Sequence, residues 1–380
     1  MKNIQMVDLV GQYQKIKNEV DGAMQEVVDS AYFVGGPAIK KFQSNLEKYL
    51  DVKHVIACGN GTDALTIAMM ALDLKPGDEV ITSNFTFVAT AEAIALLHLT
   101  PVLVDVDPDT FNIDIDALEK AITPKTKAIV PVHLFGQCAD MEAIMNLAKE
   151  HDLFVIEDTA QAIGADYTFS NGEVKKAGTI GDIGCTSFFP SKNLGCFGDG
   201  GALFTNDDRL AAMITKVVNH GMEKRYYHDM IGVNSRLDTL QAAVLDVKLN
   251  YLDEFNTARR KAADYYDKAF KDTKGLKTPK RAEYSSHVFH QYTLILDDHI
   301  DHFEMQEYLK NEGIPAMIYY PVPLHLQEAY IDPRYTNGDF PVTEKLCKNV
   351  LSLPMHTEHN EDTLKYITDK VNEFIHLKTN

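Results

Sequence analysis

One lysine, Lys192, sits in the stretch SFFPSKNLGCFGDGG, behind two phenylalanines and a proline and ahead of a series of glycines. A lysine held away from water loses part of its preference for the charged form. The neutral amine is the form that condenses with an aldehyde. Most lysines are solvated and do no chemistry, so Lys192 needs company. Asp158 supplies some, at the end of LFVIED. Neighbouring strand residues face opposite sides, so Glu157 and Asp158 are not a catalytic carboxylate pair. Asp158 shares its side with Ile156 and Phe154, where a carboxylate wants a cationic or donor partner. A helix-capping aspartate would be written with the same letters. The third feature is CGNGTDAL, with Gly59, Asn60, Gly61 and Thr62. Glycines let a ligand approach the backbone, and a helix start offers N–H groups to a phosphate. An ordinary turn capped by Thr62 fits the same letters.

The elements that must position these residues alternate between residues 52 and 206. HVIAC, DEVITS, PVLVDV, KAIVPVHLFG, LFVIED, IGCTSFF and GALFTN read as strands. TDALTIAMMALDL, VATAEAIALLHL and DMEAIMNLAKEH read as helices between them. Such alternation predicts an α/β fold with a mainly parallel sheet covered by helices on both faces. Ligands of these sheets bind at the carboxyl ends of the strands, where Lys192, Asp158 and the Gly61–Thr62 turn all lie. Beyond residue 245 a long helical run leads to the strand SHVFHQYTLIL, with helices near 302–312, 342–350 and 361–375. The expected organisation is an N-terminal helix over 1–30 packed on the small domain, a large α/β domain over 31–245, and a small α+β domain over 246–380. Val20, Met24 and Val27 carry the apolar face of the first helix.

A phosphate for a helix start, an aldehyde for an amine and a ring nitrogen for a carboxylate describe one ligand, pyridoxal phosphate. A protonated pyridine nitrogen beside Asp158 would make that ring an electron sink. Phe87 of NFTFVAT could stack on the ring; Phe85 and Phe87 are equally good core residues. Other motifs fall away. DVDPDTFNIDID opens like a calcium loop but has Thr110 where glycine is required and Asp116 where glutamate is, so it reads as a turn. No dinucleotide fingerprint, P-loop or G-x-S-x-G occurs.

The net charge of −18 argues against nucleic acid and anionic membrane as partners. No apolar run is long enough to span a bilayer, and the N-terminus lacks the blocks of a signal peptide. Five cysteines without C-x-x-C spacing suggest neither zinc nor a disulfide framework. A cytoplasmic setting is expected.

The chain resembles the DegT/DnrJ/StrS-type nucleotide-sugar aminotransferases, of pyridoxal-phosphate fold type I (aspartate-aminotransferase-like). The resemblance runs through YFVGGPAIKKFQSNLEKYL, GNGTDAL, FTFVATAEAI, VDVDPDTFNID, VHLFGQCADMEAI, IEDTAQAIGA, SFFPSKNLGCFGDGGALFTND, GVNSRLDTLQAAVL and YYPVPLHLQ. It implies that Lys192 forms the internal aldimine and Asp158 meets the pyridine nitrogen. It places Gln161 beside the ring, Gly61, Thr62 and Ser187 on the phosphate, and Phe87 on the ring face. Asn234 would reach the phosphate of a neighbouring subunit, which implies a homodimer with shared sites. Arg236 and Tyr320 would approach the nucleotide sugar. Asn234 and Arg236 read equally well as a polar loop before a helix capped by Asp238. Some relatives carry histidine at the lysine position and are dehydratases; Lys192 favours transamination. Glutamate is the implied donor. The implied acceptor is a UDP-2-acetamido-2-deoxy-3-keto sugar for polysaccharide or lipopolysaccharide synthesis. The alternatives are a 4-keto UDP- or dTDP-sugar and a dTDP-3-keto-6-deoxyhexose. Rivals from other classes are a non-catalytic regulator on the same fold and a nicotinamide-dependent oxidoreductase.

Overall fold

The computed structural model describes residues 4–379, so residues 1–3 and 380 of the expected 1–30 and 246–380 segments lie outside the described residues. In chain order it runs α1 (Leu9–Ser30), α2 (Pro37–Leu50), β1 (His54–Cys58), α3 (Gly61–Ala71), β2 (Glu79–Ser83), α4 (Ala89–Leu96), β3 (Thr100–Val104) and α5 (Ile115–Ala121). There follow β4 (Thr126–Val130), α6 (Met141–His151), β5 (Phe154–Asp158), β6 (Asp166–Thr168), β7 (Val174–Lys176), β8 (Ile183–Ser187), β9 (Gly201–Thr205) and α7 (Asp208–Val217). The rest comprises α8 (Thr239–Leu249), α9 (Leu252–Phe270), β10 (Leu276–Lys277), β11 (Tyr292–Leu296), α10 (His302–Asn311), α11 (Pro341–Asn349), β12 (Val350–Leu353) and α12 (Glu361–Thr379).

Seven strands form one sheet in the order β1-β9-β8-β5-β4-β2-β3. The pairs from β8 to β3 are parallel, while β9 runs antiparallel to both β1 and β8. Alternate side chains feed opposite faces, as a pleated strand requires. Ile156 packs with Ile67, Ile94 and Ile214 of α3, α4 and α7, and Val155 with Leu118 and Ile144 of α5 and α6. Phe42 and Leu46 of α2 meet Phe204 of β9 and Leu245 of α8. Both faces are covered, which suits the near-continuous apolar runs of these strands.

A second core lies under the three-stranded antiparallel sheet β10-β11-β12. There Tyr266 and Phe270 of α9 pack with Leu294, Leu309, Leu351 and Val371. The α1 helix lays Ile16 and Val20 on Val244 of α8 and Phe255 of α9. Just before α1, Met6 accepts from Met355 N–H at 3.1 Å, and Lys15 pairs with Glu358 at 2.9 Å. No helix is long and apolar enough to cross a membrane among the described residues.

Candidate active site

The three features singled out from sequence meet in one cavity of about 470 Å³ at the carboxyl ends of the parallel strands. Its walls include Gly61, Thr62, Phe87, Asp158, Gln161, Ser187, Lys192 and Tyr320. Asn234 and Arg236 lie outside it, exposed on the 219–237 segment, where Arg236 donates to Asn219 at 3.4 Å.

Lys192 hangs from the loop joining β8 to β9. Because those strands pair, with Ser187 opposite Gly201, the loop must fold back on itself. Phe188 N–H donates to Gly200 at 2.7 Å, and Cys196 N–H to Phe188 at 2.8 Å. The buried Lys248 Nζ holds Gly195 O at 2.6 Å, and Asn193 donates to Asn256 and Val288. A Cβ on Gly195 would stand 2.3 Å from Pro190 O. Gly195 is therefore required by a tightly crossed loop. Within it, burial pushes the Lys192 amine down to about 8, against the opposing pull of Asp158.

Asp158 ends β5. Its Oδ2 accepts from Thr90 Oγ1 at 2.9 Å and its Oδ1 from Ala160 N–H at 3.1 Å. Glu157 faces the other way, fully buried. It accepts from His133 Nε2 at 2.9 Å and from Gly178, Ile180 and Gly181 N–H at 2.8, 2.7 and 2.6 Å. His133 Nδ1 accepts from Ala139 N–H at 3.1 Å, so Nε2 carries the hydrogen that goes to Glu157. Burial raises the Glu157 pKa, but His133 and the Gly181 and Gly178 amides outweigh it and leave the carboxyl below its usual range.

At the opposite end Asn60, and not Thr62, caps α3; its side chain accepts from Asp63 N–H at 2.8 Å. The N–H groups of Gly61 and Thr62 have no acceptor among the described residues. A Cβ on Gly61 would stand 2.7 Å from Ser187 Cβ, so only glycine leaves that end open. Thr86 Oγ1, on the cavity wall, is buried without a partner among the described residues. Gln161 is fixed by Phe135 N–H at 2.7 Å and donates to Tyr320 Oη at 3.3 Å. Phe87 is 56% exposed, with its ring 6.4 Å from that of Tyr320, whereas Phe85 is core. Asp238 precedes α8 but makes no side-chain cap bond. Asp107 closes its turn by accepting from Asp109 and Thr110 N–H.

Sequence reasoning passed over Thr90, which looks like any helix residue, and the pair His290-Gln291, which lines the cavity from the segment before β11. The polar pair in VFHQYTLIL was the available signal.

An anion cradle at a helix start, a desolvated amine and a carboxylate held by a hydroxyl, spread round one cavity, define a site of the pyridoxal-phosphate type. The chain belongs to the DegT/DnrJ/EryC1/StrS aminotransferase family, matched over residues 14–372. It is 48% identical to a "Pleiotropic regulatory protein" of Geobacillus stearothermophilus, over 98% of each chain. It is 45% identical to the UDP-2-acetamido-2-deoxy-3-oxo-D-glucuronate aminotransferase of Pseudomonas aeruginosa, over 96% of this chain and 98% of that one. The UDP-N-acetyl-3-dehydro-alpha-D-glucosamine 3-aminotransferase of Acidithiobacillus ferrooxidans is 42% identical over 98% of each. Among solved structures, S. venezuelae DesV with a ketimine intermediate superposes with a TM-score of 0.94, at 36% identity over 99% of each chain. NtdA of Bacillus subtilis, with bound cofactor PMP, gives 0.87 at 32% identity over 95% of this chain and 82% of that one. The chain is thus an aminotransferase of fold type I, in a pyridoxal-phosphate-dependent family.

Proposed function

We propose that the protein transfers an amino group from glutamate to the 3-keto group of a UDP-2-acetamido-2-deoxy sugar. The observation that carries the chemistry is the desolvated Lys192 amine in one cavity with Asp158 and the open start of α3. The two UDP-sugar 3-aminotransferases among the relatives support the acceptor. In this reading Gly61, Thr62 and Ser187 would hold the cofactor phosphate, Phe87 would cover its ring and Asp158 would meet its ring nitrogen. When bound, the cofactor supplies a carbonyl for amines and an electron sink for the negative charge left by proton removal. Lys192 is the attachment point. Its free amine would be the base that removes the donor's Cα proton and the acid that returns it, work that typically contributes ~10²–10⁴-fold in rate. Thr90 and Ala160 hold Asp158 in place, and Gln161 holds Tyr320 at the substrate side.

The second copy of a homodimer would add Asn234 to the phosphate end and Arg236 to the nucleotide. The exposed Tyr226, Tyr227 and Ile231 on the same segment suit burial against a partner. Two separate cores support a large and a small domain divided near residue 245, with α9 reaching both. Five buried free thiols suit a reducing, cytoplasmic compartment.

The purified protein is expected to be yellow, and borohydride to fix the cofactor to Lys192. Lys192→Ala should abolish turnover. Turnover compared across 3-keto and 4-keto UDP- and dTDP-sugars tests the acceptor; a clear preference for a 4-keto substrate would overturn that part. The name of the Geobacillus relative favours a regulatory role as a second reading. Cofactor binding without transamination of any keto sugar would decide for it.

A further inference from the structure

His290 and Gln291 have no part in the reading above. Both line the cavity, at 5% and 7% exposure, and neither side chain makes a hydrogen bond among the described residues. His290 Nδ1 and Gln291 Oε1 are buried without partners. Nε2 of each is therefore the atom left open to the cavity. An orphaned buried N–H is costlier and rarer than an orphaned lone pair. That places the imidazole hydrogen of His290 on Nε2, so both side chains present N–H donors. Behind them Arg259 holds the carbonyls of Phe289 and His290 at 3.2 and 3.3 Å, which fixes the backbone. Burial, with Lys192 and Arg259 nearby, keeps the His290 ring well below its ordinary pKa and hence neutral.

Apart from Lys192, no lysine or arginine among the described residues lines the cavity. Yet an amino-acid donor must bring its nitrogen to the place of the Lys192 amine, with its carboxylate two bonds away. His290 and Gln291 share the cavity wall with Lys192, and His290 is close enough to feel its charge, so they are placed to meet that carboxylate. We infer that Nε2–H of His290 and Nε2–H of Gln291 form the subsite that receives the α-carboxylate of the amino donor. The inference rests on the aminotransferase reading and deepens it. Neutral donors suit a site that holds two substrates in turn. They bind an ionised carboxylate through charge-assisted hydrogen bonds and bind a sugar hydroxyl equally well once the keto acid has left. A fixed guanidinium would retain the departing acid by charge.

The test uses the cofactor-loaded enzyme and 2-methylglutamate, which has no α-hydrogen and stops at binding. Its affinity is read from the visible absorbance of the cofactor, and UDP affinity is measured by calorimetry on the same samples. Gln291→Met and His290→Leu should each weaken 2-methylglutamate by about 10- to 100-fold, the worth of one hydrogen bond to a charged group. Gln291→Glu should weaken it further, and UDP affinity should stay within twofold. Unchanged 2-methylglutamate affinity in Gln291→Met and His290→Leu, with cofactor retained, overturns the subsite. So does an equal loss for UDP. A wild-type protein that holds no cofactor would instead remove the aminotransferase reading itself.

Discussion

The Lys192 amine, pushed from 10.5 to about 8 by burial, makes a quantitative prediction about cofactor capture. Only the neutral amine attacks an aldehyde. At pH 7 a group titrating at about 8 is about 10% neutral, against about 0.03% for an ordinary lysine, a gain of about 300-fold. The assay is the rate at which apoprotein captures pyridoxal phosphate, followed by absorbance from pH 6 to 10. Each rate is divided by that of a simple alkylamine corrected to its neutral form, which removes the titration of the aldehyde itself. The normalised rate should rise about tenfold per pH unit and level off near pH 8. Asp158 opposes the burial effect, so Asp158→Asn should move the midpoint downward. A midpoint near 10 in the wild type, or an upward movement in Asp158→Asn, would refute the argument that burial activates this amine.

Thr90→Val removes the hydroxyl that donates to Asp158 Oδ2 at 2.9 Å. Cofactor affinity should fall by about 10- to 100-fold, with the unfolding midpoint nearly unchanged. Glu157→Gln turns one acceptor oxygen of a buried carboxylate, which serves four donors, into a donor. A loss of about 3–5 kcal/mol in urea unfolding is expected. Lys248 is 2% exposed and burial lowers it to about 8. Its charge therefore costs the folded state about 3 kcal/mol below pH 8, a cost relieved as pH rises from 8 towards 10.5. Wild-type stability measured against Lys248→Met should accordingly climb over that window, and a flat difference would contradict it.

The strands and helices of the large domain were legible because each carries its own period and its own turn. Two expected strands are shorter than their apolar runs. KAIVPVHLFG stops at Val130, since Pro131 has no N–H to pair and His133 turns to Glu157. SHVFHQYTLIL pairs only from Tyr292, because His290 and Gln291 face the cavity instead. The antiparallel course of β9 could not be read, since direction leaves no mark on GALFTN. The β6–β7 hairpin is three residues a side and owes its place to contacts such as Tyr167 with Tyr284. Lys192 and Asp158 were visible as residues out of keeping with their surroundings. Thr90 was not, and His290 and Gln291 showed only as a polar pair in an apolar run, because their places round the cavity exist only once distant segments close over the sheet.

The Lys192 segment is strapped between two adjacent antiparallel strands and tied beneath by Lys248 and Asn193, so its backbone is anchored to the sheet. Whatever travel the amine makes must come from torsions of its own flexible carbon stem. Such torsions involve one side chain alone, whereas loop segments move collectively over nanoseconds to microseconds. Stiffening the scaffold to resist heat would therefore leave the swing of this lever arm untouched, and durability and turnover need not compete at this position.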